Sequence, residues 1–123
     1  MSTPGLLLFA HGARDPNWAL PFEAVAALVR AQRPDMPVQL AFLEFMSPPL
    51  PEAGARLAAQ GCTEVAVVPL FLGAGGHVRK DLPALLASLA AAYPQVSWSL
   101  QPAIGEVDSV VQAMAEAALR LAS

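Results

Sequence analysis

The sequence predicts a three-layer α/β domain: a four-stranded parallel sheet with helices on both faces. Three observations carry this reading. The chain has 123 residues, one domain's worth. It is 55% hydrophobic and only 14% charged, which fits a packed globule and neither a disordered chain nor a coiled coil. Its candidate strands are apolar throughout instead of alternating, as parallel strands covered on both faces require.

The elements follow in order. Leu6-Leu-Leu-Phe-Ala10 is a short apolar run closed by His11-Gly12 and reads as a buried strand. Asn17 is placed to cap a helix from Trp18 to Gln32, with Pro21 in a first turn whose N–H groups have no helical acceptor. Pro34 and Pro37 end it, and Val38 to Phe45 forms the second strand. Pro48, Pro49 and Pro51 open a helix that runs to Gln60 and stops at Gly61. Glu64 to Leu72 is the third strand, and the Gly73-Ala-Gly-Gly76 loop follows. Asp81 then caps a helix from Leu82 to Tyr93, Val96 to Leu100 is the fourth strand, and Asp108 caps a last helix to Leu121. Residues 1–123 read as one domain, without linker or repeat.

Composition removes several functions. Seven Lys+Arg against ten Asp+Glu leave a net charge of −3, the wrong sign for general nucleic-acid binding. A single cysteine, Cys62, permits neither a disulfide framework nor a cysteine-based zinc site, and reads as a small packing residue. The apolar start lacks the basic flank and the length of a signal peptide, and prolines interrupt the uncharged stretch from Leu82 to Gly105, so the expectation is a cytoplasmic protein without a membrane span. The glycine loop matches neither G-x-G-x-x-G nor a P-loop, and no G-x-S-x-G nucleophile elbow occurs.

Ligands of open parallel sheets bind beyond the carboxyl ends of the strands. The polar groups leaving those ends are His11 after strand one, Glu44 on strand two and His77 in the loop after strand three. Two imidazoles and a carboxylate suit a divalent transition metal and leave coordination positions open. Taken singly, each has a structural reading too: a hydrogen-bonded histidine, an edge-strand carboxylate, a tight turn. Arg14, Arg79 and Lys80 flank the histidines. They read either as a solvated rim or as a clamp for an anionic substrate. Trp18, Phe22 and Val25 fall at helical spacing on what reads as a packed face, and Met46 reads as core beside Glu44.

Three separated segments are familiar in combination: Leu-Leu-Phe-Ala-His11-Gly-Ala-Arg14-Asp-Pro, Ala-Phe-Leu-Glu44, and Val-Val-Pro-Leu-Phe-Leu-Gly-Ala-Gly-Gly-His77-Val-Arg-Lys-Asp81-Leu-Pro. Over nearly the whole chain they resemble the small-type sirohydrochlorin cobaltochelatases, metal-inserting chelatases of tetrapyrrole biosynthesis. The resemblance implies a chelatase-like fold and insertion of Co²⁺ into sirohydrochlorin on the way to cobalamin; relatives insert Fe²⁺ or Ni²⁺. It marks His11 and His77 as metal-binding and catalytic histidines and Glu44 as the strand-end carboxylate. The metal is a substrate, and no permanent cofactor is implied. The family often has serine where this chain has Ala13, so a hydroxyl contact is missing. Long-type members carry two such domains, so a homodimer enclosing the cleft is the expected partner arrangement for this single one. A metal-carrying domain and an inactive tetrapyrrole-binding domain remain as alternatives.

Overall fold

A computed structural model describes residues 2–73 and 75–123; Met1 and Ala74 lie outside the described residues, and residues 76–78 are described by their backbone alone. The architecture is the expected one. Four parallel strands, β1 (Pro4–Ala10), β2 (Val38–Phe42), β3 (Glu64–Pro69) and β4 (Ser97–Leu100), lie in the order β2-β1-β3-β4. The helices are α1 (Leu20–Gln32), α2 (Leu50–Ala59), α3 (Gly76–Ala92) and α4 (Asp108–Ala122).

Register builds the core. Leu7 stands opposite Gln39 on one side and Val67 on the other, and Leu8 opposite Leu40 and Val68. Because side chains alternate along a strand, Leu7, Phe9, Val65 and Val67 point to one face and Leu6, Leu8, Val68 and Leu70 to the other. The first set is sealed under α2 and α3, with Leu57, Leu82, Leu86, Leu89 and Val96 completing a buried cluster that includes Cys62. Full burial of a large apolar side chain is worth about 1.5–3 kcal/mol, so this face carries most of the stability. The second set meets α1 through Ala26, Phe22 and Val29. Met46 packs against this second cluster, as the sequence suggests.

Several boundaries differ from expectation. Asp15, not Asn17, supplies the first cap: its side chain accepts the Asn17 N–H at 2.9 Å and starts a 3-10 turn, Pro16–Ala19, ahead of α1. Strand β2 ends at Phe42 instead of Phe45, because the Phe42 N–H turns to the Pro48 carbonyl and Phe45 takes a positive φ of 66°. Helix α3 starts at Gly76 with Gly75 in the cap position, so Asp81 lies within the helix, and Pro83 is an interior residue. Asp108 is the first residue of α4 and Val107 takes the cap position, without a side-chain bond. Trp18 and Val25 belong to no packed face: they are 43% and 39% exposed, and only Phe22 of that row is half-buried.

The largest departure is α4. It buries none of its residues, and its contacts are made chiefly with the 3-10 turn Ile104–Glu106 that precedes it. Helices do lie on both faces of the sheet; on one of them α1 gives the main cover, and Ile104 and Val110 line the groove beside it.

Candidate metal and substrate site

The site grows out of the carboxyl edge of the sheet. His11 leaves β1, half-buried, and its ring lies nearly parallel over Phe71 just past β3, centroids 4.2 Å apart at 28°. Its backbone carbonyl accepts the Trp18 indole N–H at 2.7 Å, which ties the loop after β1 to the entry of α1. Together His11, Trp18, Phe22, Leu70, Phe71, Leu72 and Gly73 line an apolar pocket of about 430 Å³. One imidazole in the lining of an apolar, aromatic pocket suits a flat, largely hydrophobic ligand that must also meet a base or a metal ligand.

Glu44 reaches the same edge from β2, but from a turn and not from a strand. The Leu43 N–H bonds to the Ala10 carbonyl at 2.8 Å, and the Met46 N–H to the Glu44 carbonyl at 2.8 Å, so the chain folds tightly around Phe45. The turn sits against Gly12: a Cβ there would fall 1.5 Å from the Glu44 carbonyl oxygen. Only glycine allows this approach, so the His11-Gly12 pair serves both the imidazole and the seating of the Glu44 turn. The structure thereby brings the His11 and Glu44 backbones together and leaves the Glu44 side chain exposed.

His77 lies in the first turn of α3, not in a loop, and its side chain lies outside the described residues. Among the described residues, no three of His, Cys, Asp and Glu lie close enough to hold a metal ion.

The cationic residues separate. Arg14 is exposed and its guanidinium stacks over the Phe45 ring at 5.1 Å, beside Glu44. Arg79 is exposed on α3 and pairs with Glu106 at 3.3 Å; Lys80 follows it, also exposed. Three participants were missed in the sequence. Phe71 and Trp18 carry no polar pattern that marks them, since an aromatic at a strand end also reads as core. Glu106 was findable: it is the first charged residue after β4, and the strand-end rule that picks out Glu44 picks it out as well.

Comparison with known proteins identifies the family. A family model described as CbiX matches residues 5–121. Curated relatives include the sirohydrochlorin cobaltochelatase of Methanosarcina acetivorans, 35% identical over 83 residues, which are 68% of this chain and 64% of that protein. That of Methanothermobacter thermautotrophicus is 38% identical over 82 residues, 67% of this chain and 57% of that protein. The match thus spans less than two thirds of either relative. Among solved structures, a CbiX protein of cobalamin biosynthesis from Marinobacter aquaeolei superposes with a TM-score of 0.84 at 32% identity, covering 95% of both chains. The sirohydrochlorin chelatase SirB from Bacillus subtilis, in complex with cobalt, gives a TM-score of 0.79 at 29% identity, covering 90% of this chain and 47% of SirB. With the family model matched from β1 through α4 and the three strand-end segments in its order, the chain belongs to the CbiX family.

Proposed function

We propose that this chain inserts a divalent metal, Co²⁺, into sirohydrochlorin as a cytoplasmic step of cobalamin biosynthesis, with Fe²⁺ or Ni²⁺ as the alternative substrate metals. The observation that carries the reading is the His11 imidazole, stacked on Phe71 in the lining of an apolar, aromatic pocket, with the Glu44 turn seated against the adjacent Gly12. The macrocycle supplies a flat apolar body for the pocket and peripheral carboxylates for cationic residues around it. Relatives named for this activity, and a SirB structure in complex with cobalt, support the choice of substrate.

The chemistry balances simply. Two pyrrole N–H groups lose their protons, four ring nitrogens replace water on the incoming ion, and the two positive charges that arrive match the two protons that leave. An imidazole, whose ordinary pKa is about 6.5, is mostly neutral at pH 7 and can either ligate the ion or accept a proton. His11, His77 and Glu44 take these roles: the histidines hold the metal transiently, and the carboxylate offsets its charge and passes protons to water. Three protein ligands instead of four leave the ion exchangeable, which suits delivery over storage. Arg14, Arg79 and Lys80 hold the substrate carboxylates. Imidazole and carboxylate donors serve Fe²⁺, Co²⁺ and Ni²⁺ alike, so selection among these rests on supply and geometry.

This domain offers one half of an enclosing cleft, and a symmetric homodimer supplies the other half. The experiment is an insertion assay with sirohydrochlorin against each metal, using wild type, His11→Ala and His77→Ala. Faster insertion than the metal-only control, lost in both variants, is the expected result. Metal binding without insertion would make the chain a carrier.

A further inference from the structure

Trp18 is bound twice to the loop that carries His11. Its backbone N–H bonds to the Asp15 carbonyl at 3.0 Å, and its indole N–H to the His11 carbonyl at 2.7 Å. The second bond is short for N–H···O, whose usual length is about 2.9–3.0 Å. One residue thus closes the loop from 11 to 15 at both ends. Asp15 fastens the same turn, because its side chain accepts the Asn17 N–H at 2.9 Å. Strand β1 ends at Ala10, so His11 is the first residue beyond the strand. The carbonyl carbon and Cβ of His11 share one Cα, so holding the carbonyl also holds the direction in which the imidazole leaves the chain.

The imidazole lands on a rigid support. It lies over Phe71 at 4.2 Å, and Phe71 is 2% exposed, packed against Phe9 and held through its carbonyl by the Gly105 N–H. A bond on the backbone and a fixed ring beneath the side chain define one placement of His11. The Trp18 ring lines the same pocket, tilted against Phe22 with centroids 5.7 Å apart, and remains 43% exposed. An indole satisfied at its N–H and open on its ring presents an apolar wall beside the imidazole.

We infer that Trp18 is a positioning residue for His11 and a wall for the macrocycle, its N–H serving the first role and its ring the second. The inference rests on the metal insertion proposed above and names what holds the imidazole toward the ring nitrogens. The two roles separate in kinetics. Without the bond the imidazole leaves its reacting position, which lowers kcat. Without the ring the site loses binding that ground and transition states share, which raises KM.

Wild type, Trp18→Phe and Trp18→Ala are compared in three measurements. These are kcat for Co²⁺ insertion, Kd for metal-free sirohydrochlorin by absorbance titration, and the NMR signals of the His11 ring protons. The chain has two histidines, so the spectrum of His77→Gln assigns the His11 signals. In wild type the ring current of Phe71 should move them upfield of free imidazole. Trp18→Phe keeps a ring and loses the N–H, so these signals are expected to return toward free imidazole. Its kcat should fall about tenfold, the worth of one hydrogen bond, while Kd stays within about twofold. Trp18→Ala should lose kcat to the same extent and also raise Kd about tenfold. A Trp18→Phe protein with wild-type kcat and unmoved His11 signals would overturn the positioning role. A Trp18→Ala protein that binds as tightly as wild type would overturn the wall. A wild type that neither binds nor metallates sirohydrochlorin would refute the proposed substrate, whereas the His11 signals would still decide whether Trp18 holds the imidazole.

Discussion

The two faces of one sheet are finished to different degrees. On the α2–α3 face, Leu7, Phe9, Val65 and Val67 are at most 1% exposed, and two helices enclose them. On the α1 face, alternate residues of the same strands line an open groove, and the pocket beside His11 shares its walls. Strand composition is much the same on both sides, so hydrophobicity alone does not separate them. The difference lies in how many helices this one chain brings to each face. Stability is concentrated on the closed face.

That contrast can be broken by substitution. The largest loss of stability is expected from Phe9→Ala on the closed face, about 3–5 kcal/mol by denaturant unfolding. Val25→Ala on the rim of the open groove should cost about 1 kcal/mol or less. Equal costs would mean that the groove is filled by the chain itself. Gly12→Ala sharpens the link between the faces and the site. Its Cβ would overlap the Glu44 carbonyl, so the turn must move. Displacement by about 1 Å at a reacting centre costs about a hundredfold in rate. We expect a loss of kcat/KM of that order in an insertion assay.

The smaller effects concern the rim. Arg79 is tied to Glu106 across exposed surface, where an ion pair contributes about 0–1 kcal/mol, so Arg79→Ala should leave stability unchanged. If Arg79 holds a substrate carboxylate, the same variant raises KM about tenfold with little change in kcat, the loss of one charged hydrogen bond. Unchanged KM would return Arg79 to a purely structural partnership with Glu106. Last, burial pushes the Cys62 thiol above its ordinary pKa, and Gly5 presses close against its sulfur. Cys62 should therefore react with thiol reagents only after unfolding, and prompt labelling of the native protein would show that the closed face opens.

Strand composition was enough to predict the parallel sheet, because fully apolar runs separated by helices have few other solutions. The turns were harder. Leu43 and Phe45 extend the apolar run past Phe42, and nothing local shows that Gly12, in the loop after β1, requires the chain to turn there. Asp81 reads as the cap of a helix from Leu82, yet α3 begins six residues earlier, at Gly76 after an extended Gly75. The strand-end rule led to His11 and Glu44, whereas the Arg79–Glu106 pair depends on the contact of distant segments. For α4 the amphipathic stripe was readable, but periodicity says only that a face wants covering, not which molecule covers it.

The central claim is that the His11 imidazole in the pocket lining carries the reaction. Its most direct measurement is the rate of Co²⁺ insertion into sirohydrochlorin by His11→Ala beside wild type, with thermal unfolding recorded for both. The account predicts a rate reduced to that of metal and tetrapyrrole without protein, at an unchanged unfolding temperature. A His11→Ala protein that inserts Co²⁺ at the wild-type rate would contradict it.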